Sequence, residues 1–231
     1  MFWDRVAWIY DVFANVINRR ANKALCAAVE ELISPTDTVL ECACGTGLLT
    51  GVMAKKCKSL TATDFSAAML KRAQWKYVSL PNVRFQQGDI LSLPYSDGHF
   101  DVVVAANVIH LLDEPLRALS ELDRVCRTGG RIILPTYMNG TDQGDTNPVS
   151  QAIGKAGADF KREFTLASYR TFLSEAAIPT PSIRFVRAGS PARWRCCINK
   201  QIKWPVSRKI FPFTGRFCKI QLKIAQIFGN L

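Results

Sequence analysis

The chain has 231 residues, 48% hydrophobic and 21% charged, with 30 Lys or Arg against 19 Asp or Glu. This length supports one α/β domain with a proper core plus an appendage, and the composition excludes a disordered or fibrous chain. No apolar run reaches the roughly 20 residues of a bilayer-spanning helix, and the amino-terminal residues lack a signal-peptide layout, so a cytoplasmic protein is expected. Eight cysteines (26, 42, 44, 57, 126, 196, 197 and 218) show no paired framework, and only His99 and His110 could join them at a metal. Buried free thiols and no metal site are expected. The excess charge is uneven. Residues 1–175 hold 19 basic and 19 acidic groups, whereas the last 56 hold eleven Lys or Arg and no acid.

Residues 2–32 are helical by pattern. Trp3, Val6, Ala7 and Tyr10 follow helical spacing, and residues 21–32 make a second amphipathic run before Ser34-Pro35 breaks it. An aromatic stripe is more often core than a binding site, but one preceding the sheet is placed to fold over its ligand edge. Residues 1–34 are therefore expected to form a helical lid, 35–200 the main domain, and 201–231 a basic amphipathic extension.

The chain is organised around residues 39–50, VLECACGTGLLT. They read as a buried strand ending in Glu41, a tight turn at Gly45 and Gly47, and the start of a helix. Glycine tolerates positive φ and lets a ligand approach the backbone, and ligands of open α/β sheets bind outside the carboxyl ends of the strands. The second strand, 59–63, ends in Asp64, placed to accept both hydroxyls of a ribose. The plainer reading of Asp64 is an N-cap on the helix at 67–77, with Ser66 as the rival. A third strand, 83–86, is followed by Asp89, which could receive an adenine amino group or be an ordinary turn aspartate. Together Glu41, Asp64 and Asp89 describe a rim suited to a nucleoside ligand. Residues 100–105 are apolar throughout, as a strand buried on both faces should be, and Asn107 and His110 follow. A helix at 118–126 is expected to stop at Thr128-Gly129-Gly130, ahead of a fifth strand at 131–135. Strands alternating with helices mean a doubly wound parallel sheet. Beyond it lie a polar loop from Met138 to Asn147, a helix at 167–177, strands at 182–187 and 193–199, and a tail that alternates between helix and strand readings.

The set ECACGTG, TATDFSAAML, FQQGDILSLPYSDGHFDVVVAANVIHLL and ELDRVCRTGGRIIL resembles the class I S-adenosylmethionine-dependent methyltransferases. Within them it looks like the branch containing ubiquinone/menaquinone and phospholipid methyltransferases. The resemblance implies a doubly wound, mostly parallel seven-stranded sheet with amino-terminal lid helices, and S-adenosyl-L-methionine as the cofactor. It implies that Glu41 lies near the methionine amino group, and that Ala43, Gly45 and Gly47 form the loop beside the methionine and ribose. Asp64 would hold the ribose hydroxyls with Phe65 beside the adenine, Asp89 would bind the adenine amine, and the Ile90 backbone would contact the ring. Asn107 would border donor and acceptor, and Tyr10 would close over the donor. Ala43 stands where a glycine is common, and the NPPY-type tetrapeptide of many base-methylating enzymes is absent.

These readings imply methyl transfer by in-line displacement to a small or lipid-like acceptor such as a quinone precursor or phospholipid amine. His110 is the general-base candidate by pKa if oxygen or carbon is methylated, although a single histidine after a core strand is more often structural. The rivals are a nicotinamide-dependent oxidoreductase, whose fingerprint expects a glycine or alanine where Thr50 stands, and a non-catalytic S-adenosylmethionine-binding protein. The basic tail suits peripheral contact with an anionic membrane at its inner face, contact with RNA being the lesser alternative. Oligomeric state is not legible.

Overall fold

Apolar segments bounded by acids and glycines become the strands of a five-stranded parallel sheet. The computed structural model describes residues 4, 19–138, 161–176, 183–187 and 195–199. The sheet contains β1 (Thr38–Cys42), β2 (Ser59–Asp64), β3 (Val83–Gln87), β4 (Phe100–Ala105) and β5 (Cys126–Ile133) in the order β3-β2-β1-β4-β5. All four pairings are parallel. The chain steps outward from β1 to β3, then returns to β1's other side with β4, so the order reverses between β1 and β4. Such a reversal opens a crevice at the carboxyl ends of the two strands.

Alternation of side chains sorts the core into two layers. Val39, Val102 and Val104 face α1 (Arg19–Glu30) and α2 (Thr50–Ala54), where Leu25, Val29 and Met53 complete the packing. Leu40, Val103 and Ala105 face the opposite way, onto α4 (Pro115–Val125) and α5 (Leu166–Glu175). The remaining helix, α3 (Ala67–Lys76), lays Leu70 and Ala73 on Ala62 of β2. Ser66, in extended conformation, accepts the Met69 N–H and caps α3. A reciprocal Thr165–Ser168 capping box starts α5.

Two expectations change. The fifth strand starts at Cys126, not at 131, and Thr128-Gly129-Gly130 lies within it. Cys126 pairs with Phe100 and Arg131 with Val102, so the extra residues form a bulge. Gly129, at φ 75°, supplies the bend that was read as a helix stop. The single seven-stranded sheet is also divided. The expected last two strands, β7 (Ile183–Arg187) and β8 (Arg195–Asn199), pair antiparallel with each other. A short β6 (Tyr137–Met138) joins β8 to make a second sheet, β6-β8-β7. β8 runs close to β5, but no ladder joins them among the described residues. Pro135, just past β5, has no N–H to extend one. The helix expected over the first residues, Tyr10 within it, the polar loop beyond Met138 and the extension 201–231 lie outside the described residues. No helix among the described residues is long and apolar enough to cross a membrane. Cys42, Cys44 and Cys57 are buried and Cys26 and Cys126 half-buried, all as free thiols.

The β5 bulge leaves no room for a side chain at Gly130. A Cβ there would stand 2.7 Å from Cys126 Sγ and 2.8 Å from the carbonyl oxygens of Arg127 and Asp101. Because two of these contacts are backbone, Gly130→Ala is expected to cost about 1–3 kcal/mol. Thermal unfolding followed by circular dichroism should show a midpoint several degrees lower.

Candidate functional site at the carboxyl edge of the sheet

Glu41, the fourth residue of β1, ends up almost fully buried, at 3% exposure, on the face that meets α2. Its Oε2 accepts the Thr50 hydroxyl at 2.5 Å, and Thr63 Oγ1 donates to its backbone carbonyl at 3.2 Å. Burial pushes the carboxyl up from 4.5 to about 8, the Thr50 bond opposing and the Asp64 charge adding to the shift. With no ligand, Glu41 is therefore held largely protonated at neutral pH. Its natural counterpart is a cation that restores the charge in place.

Asp64 closes β2, the neighbouring strand. Oδ2 accepts the Gly45 N–H at 2.7 Å and Oδ1 the Ser66 N–H at 2.8 Å. The carboxylate thus fixes the glycine turn and its own following turn, while Ser66 fills the N-cap role that Asp64 competed for. A carboxylate has about four acceptor positions, and these bonds use two. Burial raises its pKa, the Ser66 and Gly45 amides counteracting and the Asp4 charge reinforcing the shift. Asp4 itself accepts hydrogen bonds from the Ser66 hydroxyl and the Ala68 N–H.

The glycine loop divides into two functions. Gly45, at φ 56°, would place a Cβ with nothing within 4 Å, so open space lies beside it. Gly47, at φ 86°, would place one 2.6 Å from Tyr77 Cε2, and Gly51 would likewise meet the Tyr77 ring. The second glycine is therefore needed for Tyr77 to pack on the turn. Tyr77 was missed in the sequence, because it lies outside the glycine spacing that drew attention to the loop, and Thr50 was noted only as a missing glycine, not as a partner of Glu41. Ala43 takes φ 53°, a left-handed conformation that costs a residue with a Cβ about 1 kcal/mol or more.

Asp89 and Asn107 complete the edge. Asp89 Oδ1 accepts the Leu91 N–H at 2.9 Å, a turn aspartate in that respect, with its second oxygen uncommitted among the described residues. Ile90 is buried beside it and Phe65 is half exposed after β2. Asn107, two residues past β4, sits at φ 52° and donates its N–H to the Pro135 carbonyl at 2.7 Å. Its Oδ1 is buried with no hydrogen-bond partner. A buried acceptor left unmatched costs about 1–3 kcal/mol, and a donor supplied by a ligand would remove that cost. Open space at Gly45, neutralised Glu41 and unmatched Asn107 fit an adenosyl sulfonium ligand carrying an ammonium group. His110 is less accessible. Its buried ring bonds through Nδ1 to Thr136 Oγ1 at 3.2 Å, and burial lowers its pKa to about 4. The Lys161 and Arg162 amides both donate to its carbonyl. Tyr10 lies outside the described residues.

Fold and edge together define a Rossmann-like α/β domain built to hold an adenosyl ligand. Residues 40–134 match the methyltransferase domain family. A phosphatidylethanolamine N-methyltransferase of Cereibacter sphaeroides is 34% identical over 151 residues, which cover 64% of this chain and 70% of that relative. A demethylmenaquinone methyltransferase of Renibacterium salmoninarum is 32% identical over 143 residues, covering 60% of this chain and 58% of the relative. The chain therefore spans little more than half the length of the second relative. A solved Thermotoga maritima structure, described as a possible histamine N-methyltransferase, covers 87% of this chain and 93% of its own at TM-score 0.65 and 19% identity. That last likeness is one of fold. The chain belongs to the class I S-adenosylmethionine-dependent methyltransferases, in the branch of the quinone and phospholipid enzymes.

Glu41 makes the stability of the ligand-free protein depend on pH. An unfolded glutamate ionises near 4.5 and the folded one near 8, so between those values folding takes up a proton. Glu41 thus opposes folding increasingly as pH rises through that window, by at most about 1.4 kcal/mol per pH unit for one proton. Denaturant unfolding at pH 5 and pH 8 should show a smaller loss in Glu41→Gln than in the native chain.

Proposed function

We propose that the chain transfers a methyl group from S-adenosylmethionine to a small or lipid-like acceptor. One observation carries this reading: Glu41, Asp64 and Asn107 stand at the carboxyl ends of three adjacent strands, around a glycine turn with open space. When bound, S-adenosylmethionine supplies a methyl group already activated by its sulfonium charge. The chain's own residues then hold and orient. Glu41 receives the ammonium of the methionine portion, giving up its proton as the cation arrives. Asp64 turns its remaining lone pairs to the ribose hydroxyls, with Phe65 beside the adenine. Asp89 accepts from the adenine amine, and the Ile90 backbone borders the ring. Ala43 and Gly45 let the backbone approach, Gly47 keeps the turn packed on Tyr77, and Asn107 Oδ1 takes a donor at the junction of the two reactants. Tyr10 is assigned to closing the site from the amino-terminal segment.

His110 is assigned to holding Thr136 and the Lys161–Arg162 segment. A ring whose pKa lies near 4 is poorly matched to removing a proton at neutral pH. That favours an acceptor bringing its own lone pair, an amine being the plain case, so that alignment and exclusion of water suffice. The two similar enzymes are named for demethylmenaquinone and phosphatidylethanolamine, both hydrophobic molecules with a polar reacting end. A nicotinamide oxidoreductase fits less well, because Thr50 stands where its fingerprint has glycine and is committed to Glu41.

Transfer of a radiolabelled methyl group into phosphatidylethanolamine and a demethylated quinol, followed by organic extraction, tests the reading. Label is expected in the organic phase, with Asp64→Asn raising the KM for the donor on the order of tenfold, as loss of about 1.4 kcal/mol of binding would. Donor binding without label in any lipid or amine would instead leave a binding protein.

A further inference from the structure

The stretch that forms α2, α3 and β3 is strongly basic. From Cys42 to Gly88 there are seven Lys or Arg and one acid, a net +6. That acid is Asp64, buried at the site and unable to offset the surface charge. The other residues up to Glu175 hold twelve Lys or Arg and eighteen acids, a net −6. The neutral total for residues 1–175 thus conceals a basic stretch, offset by acids elsewhere along the chain.

On this stretch, α3 and the turn after it present an apolar pair, Trp75 and Val78, to solvent. Met69, Leu70 and Ala73 are turned inward, whereas Lys71, Gln74, Trp75 and Val78 share the exposed side at i, i+3, i+4 and i+7 spacing. Trp75 and Val78 are each 84% exposed, the highest values among the large hydrophobics described. Removing the apolar surface of Trp75 and Val78 from water is favourable, and no packing among the described residues does so. Lys71 and Lys76 bracket the tryptophan, and Lys55, Lys58 and Arg84 are exposed on the neighbouring elements.

We propose that this face of α3 is a docking surface for an anionic phospholipid bilayer. Tryptophan is the side chain suited to the headgroup level, with an apolar body and a polar N–H. Surrounding lysines add electrostatic attraction to an anionic surface. Charge complementarity with acid-free residues 65–88 selects anionic over zwitterionic lipid. A nucleic acid would also meet the charge, but Val78 offers it no stacking surface, and a single exposed tryptophan is a poor platform for successive bases. The surface is separate from the edge that holds Glu41 and Asn107, and its lipid binding does not depend on the acceptor.

The test uses the full chain and sedimentation with phosphatidylglycerol–phosphatidylcholine vesicles, with phosphatidylcholine vesicles as the zwitterionic arm. Because residues after Glu175 add eleven Lys or Arg of their own, binding by the native chain alone does not decide the matter; variants on α3 do. The double variant Lys71→Glu, Trp75→Ala is expected to lower partition onto the anionic vesicles on the order of tenfold or more. Its thermal midpoint and S-adenosylmethionine binding should stay unchanged. Brominated phosphatidylglycerol should quench part of the tryptophan emission, and that part should vanish in Trp75→Phe. Equal partition of native and double variant, no anionic-vesicle binding by either, or quenching unaltered in Trp75→Phe would each overturn the proposal. Loss of binding to a single-stranded RNA homopolymer in the double variant, with vesicle binding retained, would overturn it in favour of a nucleic-acid face.

Discussion

Asp64 Oδ2 and the Gly45 N–H, 2.7 Å apart, join the end of the second strand to the turn after the first. The rest of the site depends on that bond. It holds Gly45 in left-handed conformation with open space beside it, and the same carboxylate starts the turn into α3 through Ser66. The parallel register of β1 and β2 brings the two strand ends to one level. The order reversal between β1 and β4 then leaves the crevice beside them. Glu41, on the α2 face of β1, is buried by the same packing that fills the core, and its raised pKa is a consequence of that position. The site is thus an outcome of sheet topology, with few polar groups added.

The parallel sheet was legible because its signal is physical and local. β1 and β4 fall where their apolar runs begin and end, and alternate residues of each pack on opposite layers. The acids after three successive strands were legible for the same reason, since strand ends in this topology share one edge. Partners set by tertiary packing were not. Gly47 looked like ligand space but accommodates the Tyr77 ring, 30 residues away. His110 looked like a base by its ordinary pKa, whereas the fold buries its ring against Thr136, and that burial lowers its pKa to about 4. The Gly129-Gly130 pair was read as a helix stop because a bulge and a stop draw on the same conformational freedom. The register shift that separates them appears only once β4 is beside β5.

Charge shows the same limit. Counted along residues 1–175 the chain is neutral, yet seven of its 19 Lys or Arg fall in residues 42–88 beside the single acid Asp64, and the fold makes that stretch α2, α3 and β3. The proposed catalysis and the proposed docking therefore draw on different consequences of one architecture. The carboxyl edge collects buried acceptors, and the crossover helices collect exposed charge.

The central claim is that the edge around Glu41, Asp64 and Asn107 holds an adenosyl sulfonium ligand. Isothermal titration of the native chain with S-adenosylmethionine, S-adenosylhomocysteine and NADH, in buffers of different ionisation enthalpy at pH 7, tests it most directly. The account predicts that both sulfur ligands bind and NADH does not, with protons released as Glu41 ionises. Binding of NADH, or of neither sulfur compound, would contradict it.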